Sequence, residues 1–359
     1  MRMTGIALIT LLLASCAGPA SVGSESALPS PPYIASTTAV GPDWVTLMHG
    51  GEPTADRIRV LLDQAHTHIE LEMYELGRAD LVTALLAAHA RGVAVTVIID
   101  PTVDVSVAAE QRLRGGGVDV LDYPVRARMI DHVKLLLVDT SVAVMGGINW
   151  GSGSFANHDF DVELRGPVVA NLERVYARDL VTIGRPAVVP TAIMDPAVVV
   201  ATTEPAAEIR PLALHVIESA QRMLILDLYV LTDTGIVHAI ERTAARGVTV
   251  RVLLDPDQRP SDAAESALRA AGVPVRRYRS HGEKLHAKVA VADEHPGAPG
   301  QRQLVNRRFP LQPRARHRDA QCARGGLPHR RAGGGRLGRQ RIGRPSNLDA
   351  RHASEIPDH

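Results

Sequence analysis

Three lysines occur in 359 residues, Lys134, Lys284 and Lys288, against 37 arginines. Two of them stand two positions after a histidine, in His132-Val133-Lys134 and His286-Ala287-Lys288, and each is followed five positions later by an aspartate, Asp139 or Asp293. Where a generic positive charge serves, this sequence uses Arg, so these positions require a compact ammonium that can approach phosphate oxygens as a point charge. A histidine beside such an ammonium can attack phosphorus or donate a proton near neutral pH, and two histidines permit both roles. Asp139 reads as structural, turning the end of a strand by accepting local hydrogen bonds.

The elements that must position these residues come twice. Ala65 matches Ala220, Tyr74 matches Tyr229, Arg91-Gly92 matches Arg246-Gly247 and Asp100-Pro101 matches Asp255-Pro256, each pair 155 residues apart, while His132 and His286 are 154 apart. A repeat of that length is a duplicated domain. In each copy apolar residues at helical spacing (Ile58, Leu61, Leu62, Ala65; Ala213, Val216, Ile217, Ala220) precede an alternating strand (Ile69, Leu71, Met73; Leu224, Leu226, Leu228). A second helix closes at Gly92 or Gly247 and leads into the apolar runs 93–99 and 248–254, which suit strands buried on both faces. A third helix and a short strand follow, so each copy reads as a mixed sheet flanked by helices. The motifs lie on strands, because 135–138 and 289–292 are short apolar runs, and period two puts His132 and Lys134 on one face. Glu72 and Asp227 are equivalent strand acids of structural use. Tyr74 and Tyr229 read as packing residues, and His49, His66, His68, His89, His215 and His238 as surface or helix-face residues.

The doubled His-x-Lys-x4-Asp pattern, with Gly146-Gly147, Asn149-Trp150 and Asn157-His158-Asp159 after its first copy, resembles the phospholipase D superfamily. That resemblance implies an α/β fold of two repeated halves packed so that both motifs share one active site. The implied catalytic set is His132, Lys134, Asp139, His286, Lys288 and Asp293. His132 would attack the phosphodiester to form a phosphohistidine and His286 would protonate the leaving alcohol. The two lysines and Asn149 would hold the non-bridging oxygens where charge accumulates, and Asp159 would orient a catalytic imidazole. No metal or cofactor is needed. Two motifs in one chain make a monomer sufficient.

Composition narrows the partners. Residues 294–359 carry 14 Arg against 5 acidic residues, which leaves the rest at about −8, a balance that does not favour a nucleic-acid partner. Cys16 and Cys322 are the two cysteines, and neither lies in the body of the chain, so no disulfide framework supports the fold. The start resembles a signal peptide ending at a bacterial lipoprotein processing site, with Cys16 as the lipidated residue. Residues 17–42, rich in Ser, Pro, Ala and Gly, read as a tether. The expected layout is a signal over 1–16, a linker over 17–42, half 1 over 43–195, a truncated half 2 over 196–293 and a tail over 294–359. The expected function is an exported, membrane-anchored phospholipase D that hydrolyses a phosphatidylcholine-type phospholipid to phosphatidic acid and free head group. The alternatives are a cardiolipin synthase-like phosphatidyltransferase, an exported nuclease and an inactive truncated lipoprotein.

After Asp293 the pattern fails. The spacing to Gly300 survives, but the sequence does not follow the first copy. Reading the degenerate codons of Gly300 to Phe309 one base later permits Gly-Ser-Val-Asn-Trp-Ser-Thr-Ala-Gly, and those of 312–316 permit Asn-His-Glu-Leu-Asp, the counterpart of residues 157–161. The tail then reads as an out-of-frame translation that should not pack, leaving an unpaired sheet edge in the second half. The competing reading is a genuine basic tail that binds nucleic acid or anionic lipid.

Overall fold

Residues 8–11, 36–126, 130–193, 196–203, 207–279, 282–293 and 303–305 are described by a computed structural model. In chain order the elements begin with β1 (Leu8–Leu11), β2 (Ser36–Val40) and β3 (Asp43–His49), followed by α1 (Glu52–Asp63) and β4 (His68–Met73). Next come α2 (Ala79–Ala90), β5 (Ala94–Ile99), α3 (Val107–Gly115) and β6 (Asp119–Asp122). The first motif strand is β7 (Lys134–Val138), followed by β8 (Val142–Gly146), β9 (Phe160–Arg165) and α4 (Val168–Ile183). The second copy runs β10 (Val199–Ala201), α5 (Ile209–Ser219), β11 (Met223–Leu228), α6 (Thr234–Ala245), β12 (Thr249–Leu254), α7 (Asp262–Ala270) and β13 (Val275–Arg277), then the second motif strand β14 (Lys288–Ala292) and β15 (Gln303–Val305).

Each half is a mixed sheet. Among the described residues the first is ordered β2-β3-β9-β8-β7-β4-β5-β6 and the second β10-β1-β15-β14-β11-β12-β13. In both, the motif strand lies antiparallel to the strand that follows the first helix, with Met73 opposite Lys134 and Leu228 opposite Lys288. On the other side that strand pairs in parallel with the apolar run, β4 with β5 and β11 with β12. The crossovers are the predicted helices. The α1 helix buries Ile58, Leu61 and Leu62, and α5 buries Ala213, Val216 and Ile217. These faces meet the even-spaced strand residues, Ile69 and Leu71 in one half, Leu224 and Leu226 in the other, to form the main core of each half.

The predicted layout needs three corrections. Residues 36–40, assigned by composition to a tether, form the outer strand of the first sheet and pair with β3. Alternation of exposed and buried positions there gives a strand in spite of the small polar residues. Leu8–Leu11, assigned to a signal, form β1 between β10 and β15. The edge expected to stay bare is therefore paired, since β15 joins β14 through Val291 with Leu304 and Ala292 with Gln303. Residues 12–35, with Cys16 among them, and the tail apart from Gln303–Val305 lie outside the described residues.

The substitution in the second sheet follows the repeat. Moved by 155 residues, Val199–Ala201 falls on Trp44–Thr46 of β3, so β10 is the counterpart of β3, and β15 stands where β8 stands. The place of β9, antiparallel to both neighbours, is taken by β1. This is the strand that the codon-shifted Asn-His-Glu-Leu-Asp segment would start.

Candidate active site

The local sequence sets each His-Lys pair at a strand entrance. Asp100, at the end of β5, accepts the backbone N–H of Asp131 at 2.9 Å and so holds the chain just before His132. The Lys134 ammonium then returns to His132, 3.0 Å from Nδ1 and 3.1 Å from the carbonyl oxygen. The second copy repeats this, with Lys288 Nζ 2.8 Å from His286 Nδ1 and hydrogen-bonded to the His286 carbonyl. All four side chains are buried. Period two had put His and Lys on one face, and their side chains do meet.

The two motifs share one electrostatic environment. Burial drives the Lys134 ammonium well below its usual range, and repulsion from Lys288 adds to that. Burial likewise brings Lys288 to about 8, against the opposing pull of Asp159. His286 falls to about 4, first by burial and then by the nearby Lys288 charge, while Asp159 resists. Unfavourable burial of two ammonium groups this close marks a site prepared for an anion.

Asp159 connects the halves. Its Oδ2 lies 2.6 Å from His286 Nδ1 and 3.8 Å from Lys288 Nζ, and the carboxylate is held below its ordinary range, against burial, by Lys288 and His286. A carboxylate at Nδ1 selects the tautomer that leaves Nε2 free for chemistry. The backbone fixes this contact, because His158 N donates to Lys284 O and His286 N donates to His158 O, both at 2.9 Å. Gly147 makes room for it, since any Cβ there would collide with the Asp159 carboxylate. The Gly-Gly step of the motif is thus explained by close approach.

His132 is equipped differently. Among the described residues its recorded partners are Lys134 and Tyr74, whose ring centroid lies 4.1 Å away, and no carboxylate bonds it.

Other predicted residues divide. Asn149 is buried, and its amide donates to Glu75 at 3.1 Å. Glu75 was not singled out by spacing, and its second oxygen takes Ser154 at 3.4 Å. Asp139 and Asp293, included in the catalytic set by resemblance, stand at the far ends of the motif strands, roughly 16 Å from the lysines at about 3.3 Å per residue. They close the fold. Asp139 accepts the backbone N–H groups of His66, Thr67 and His68 at 2.8, 2.8 and 3.0 Å, and Asp293 those of Gln221, Arg222 and Met223 at 2.8, 2.7 and 3.0 Å. Both residues take a positive φ, 49° and 46°. The expected local turn bonds are replaced by long-range ones, which tie the motif strand to the loop entering its neighbour.

Tyr74 and Tyr229 do more than pack. Tyr229 lies 4.8 Å from the His286 ring, and Lys134 and Lys288 sit 5.0 and 5.3 Å from the Tyr74 and Tyr229 centroids. Their identical position in the repeat was the signal that could have found them. Glu72 and Asp227 diverge, the first fully buried and pushed well up by burial and the Asp179 and Asp131 charges, the second partly exposed beside His158.

Two histidine-lysine pairs on equivalent strands of a repeated α/β unit fit the phospholipase D superfamily. The family model for "Cardiolipin synthase, PLD-like domain" matches residues 58–180 and 213–301, and the chain belongs to that family. It is 29% identical over 323 residues to cardiolipin synthase A of Pseudomonas putida and 30% identical to that of strain GB-1, spanning 80% of this chain and 67% of either relative. Among solved structures, phosphatidylserine synthase of Haemophilus influenzae Rd KW20 superposes with a TM-score of 0.53 over 69% of this chain and 76% of its own, at 10% identity, a likeness of fold.

Proposed function

We propose that the chain is a phosphatidyltransferase of the cardiolipin synthase type, in which a phospholipid hydroxyl rather than water resolves the covalent intermediate. The observation that carries the chemistry is the convergence of His286, Lys288 and Asp159 from opposite halves on the environment that also holds Lys134. The similarity to cardiolipin synthases favours transfer, and the hydrolysis of a choline lipid expected from sequence gives way to it.

In this reading His132 attacks phosphorus, the P–O bond to the head-group alcohol breaks, and His286 gives that alcohol its proton. A second lipid's hydroxyl then attacks the phosphatidyl-histidine while His286 takes its proton, which restores both imidazoles. Lys134, Lys288 and Asn149 hold the non-bridging oxygens, where preorganised donors act most strongly on developing charge. Burial and then the Lys288 charge hold His286 at about 4, neutral at pH 7. A bound phosphodiester anion would offset the Lys288 charge and raise its proton affinity, so substrate itself arms the acid.

The same reading holds that residues 294–359 are out of frame and that restoring the frame supplies the carboxylate for His132. It also keeps Cys16 as a lipid anchor; processing there would remove Leu8–Leu11, and the restored frame would supply the strand whose place β1 takes. The test is incubation of the frame-restored chain with phosphatidylglycerol vesicles. Formation of cardiolipin and free glycerol, lost in His132→Ala, is expected. Phosphatidic acid as the sole lipid product would return the reaction to hydrolysis.

A further inference from the structure

A second cluster stands on the same seam and takes no part in the chemistry above. His49, at the end of β3, places Nε2 3.1 Å from Nδ1 of His158. Glu283, from the other half, brings a carboxylate oxygen close enough that all three donor atoms lie within 4.8 Å of one another. Around them is a second set of groups already in position. Asp227 Oδ2 lies 3.8 Å from His158 Nε2, and the Tyr278 hydroxyl donates to Glu283 Oε2 at 2.6 Å. Rings close the pocket, with Phe160 5.0 Å from His49 and Tyr278 4.9 Å from His158.

We propose that His49, His158 and Glu283 form a binding site for one transition-metal dication of the Zn2+ class, which staples the two halves beside the active site. Two ligands at about 2.05 Å in a tetrahedron are separated by about 3.3 Å, so the imidazole spacing is already that of a ligand pair. Glu283 needs a shift of up to about 1.5 Å to complete three ligands. Two imidazoles and one carboxylate suit Zn2+ and its first-row neighbours and disfavour Ca2+ or Mg2+, which take oxygen donors. Asp227, whose Oδ2 lies 3.8 Å from the far nitrogen of His158, would fix its tautomer and raise its basicity on closing to hydrogen-bond distance.

The site is not a by-product of the duplication, because the repeat sets Met129 opposite Glu283. Its placement suggests what occupancy would do. His158 and its neighbour Asp159 are the residues whose backbone and side chain hold His286, so an ion on His158 braces the loop that orients that imidazole. His49, His158 and Glu283 all precede residue 294, so the site does not depend on the tail.

Zn2+ alone is the probe, titrated by calorimetry into metal-free full-length chain, with thermal unfolding followed in parallel. One ion per chain should bind and raise the unfolding temperature. His49→Ala and Glu283→Gln should weaken binding at least tenfold, and Asp227→Asn by about tenfold, as outer carboxylates of metal-bound histidines do. Glu283→Gln keeps the shape of the side chain and an acceptor for Tyr278, so its metal-free unfolding temperature should stay near that of the parent. Absence of binding, or binding that the His49 and Glu283 substitutions leave unchanged, would overturn the site and reduce the contact to a hydrogen bond between two imidazoles.

Discussion

Among the described residues the first half has cover on both faces of its sheet and the second has it on one. In β4 and β5 the outward residues Glu72 and Ile98 are buried, whereas their counterparts Asp227 and Leu253 are partly exposed and Arg251 is exposed where Thr96 is half-buried. The reason is α4, which lays Val168, Val169, Leu172 and Tyr176 against Leu135, Leu137 and Ile98. On the second sheet the same face carries a small cluster, Leu285, Ala287 and Val289, and open grooves lined by Ile225, Arg251, Leu253 and Arg276. Moved by 155 residues, α4 falls on Ala323–Gly338, whose six Gly, one Pro and four Arg lack the apolar spacing of α4. Burying four or five large side chains contributes roughly 10 kcal/mol gross before chain entropy. That is of the order of a whole domain's net stability. The halves differ in how well they can hold their shape, not only in sequence.

The motif imidazoles differ in the opposite sense, since His286, in the less covered half, has the carboxylate partner that His132 lacks among the described residues, and this gives the largest predicted effects. In the frame-restored chain His132→Ala and His286→Ala should each lower transfer by about a thousandfold or more. If His132 is the nucleophile, a phosphatidyl adduct should be trapped on His286→Ala and be absent from His132→Ala. The reverse pattern would exchange the roles. Asp159→Asn should cost about a thousandfold by releasing the tautomer of His286 while leaving lipid binding in place, measured as a fall in kcat with KM nearly unchanged.

Restoring the frame should stabilise the second half by several kcal/mol. Limited proteolysis would then shift from cleavage within 196–293 of the chain as written to equal resistance of both halves. Equal resistance without restoration would mean that β1 and β15 already close the sheet adequately.

Smaller effects test the likeness of the halves. Asp139→Ala and Asp293→Ala should each destabilise by about 1–2 kcal/mol, because each leaves three backbone N–H groups without their acceptor. Those bonds hold both carboxylates below their ordinary range. Their contribution is present above pH about 4 and lost as pH falls, so the two variants should converge with the parent in acid denaturation. Asp161 behaves in the opposite way. Burial pushes it to about 8, so the folded state binds the proton more tightly than the unfolded one, and stability declines as pH rises from about 4 to 8. Asp161→Asn should flatten that decline, read as unfolding temperature against pH.

The duplication, the helix-strand order and the His-Lys pairs were legible because they depend on local periodicity and on residues that recur at a fixed distance. The same logic found Asp159, through the motif after the first copy. It failed for His49, Glu75 and Glu283, which stand alone in the repeat and acquire partners 74 or more residues away. It also undervalued Tyr74 and Tyr229, whose rings on a strand look the same whether they face a core or an imidazole.

By itself the sequence determined that this chain folds as two α/β copies carrying one His-Lys pair each, because apolar period and side-chain chemistry are local properties. Only the tertiary structure decided that the acid of the first copy serves the histidine of the second, and that Asp139 and Asp293 tie strands together far from the site. It alone placed β1, among the described residues, where the duplication requires a strand. Each of these is a contact between residues distant in the chain, and such contacts are fixed by how sheets pair and halves pack, which no local pattern records.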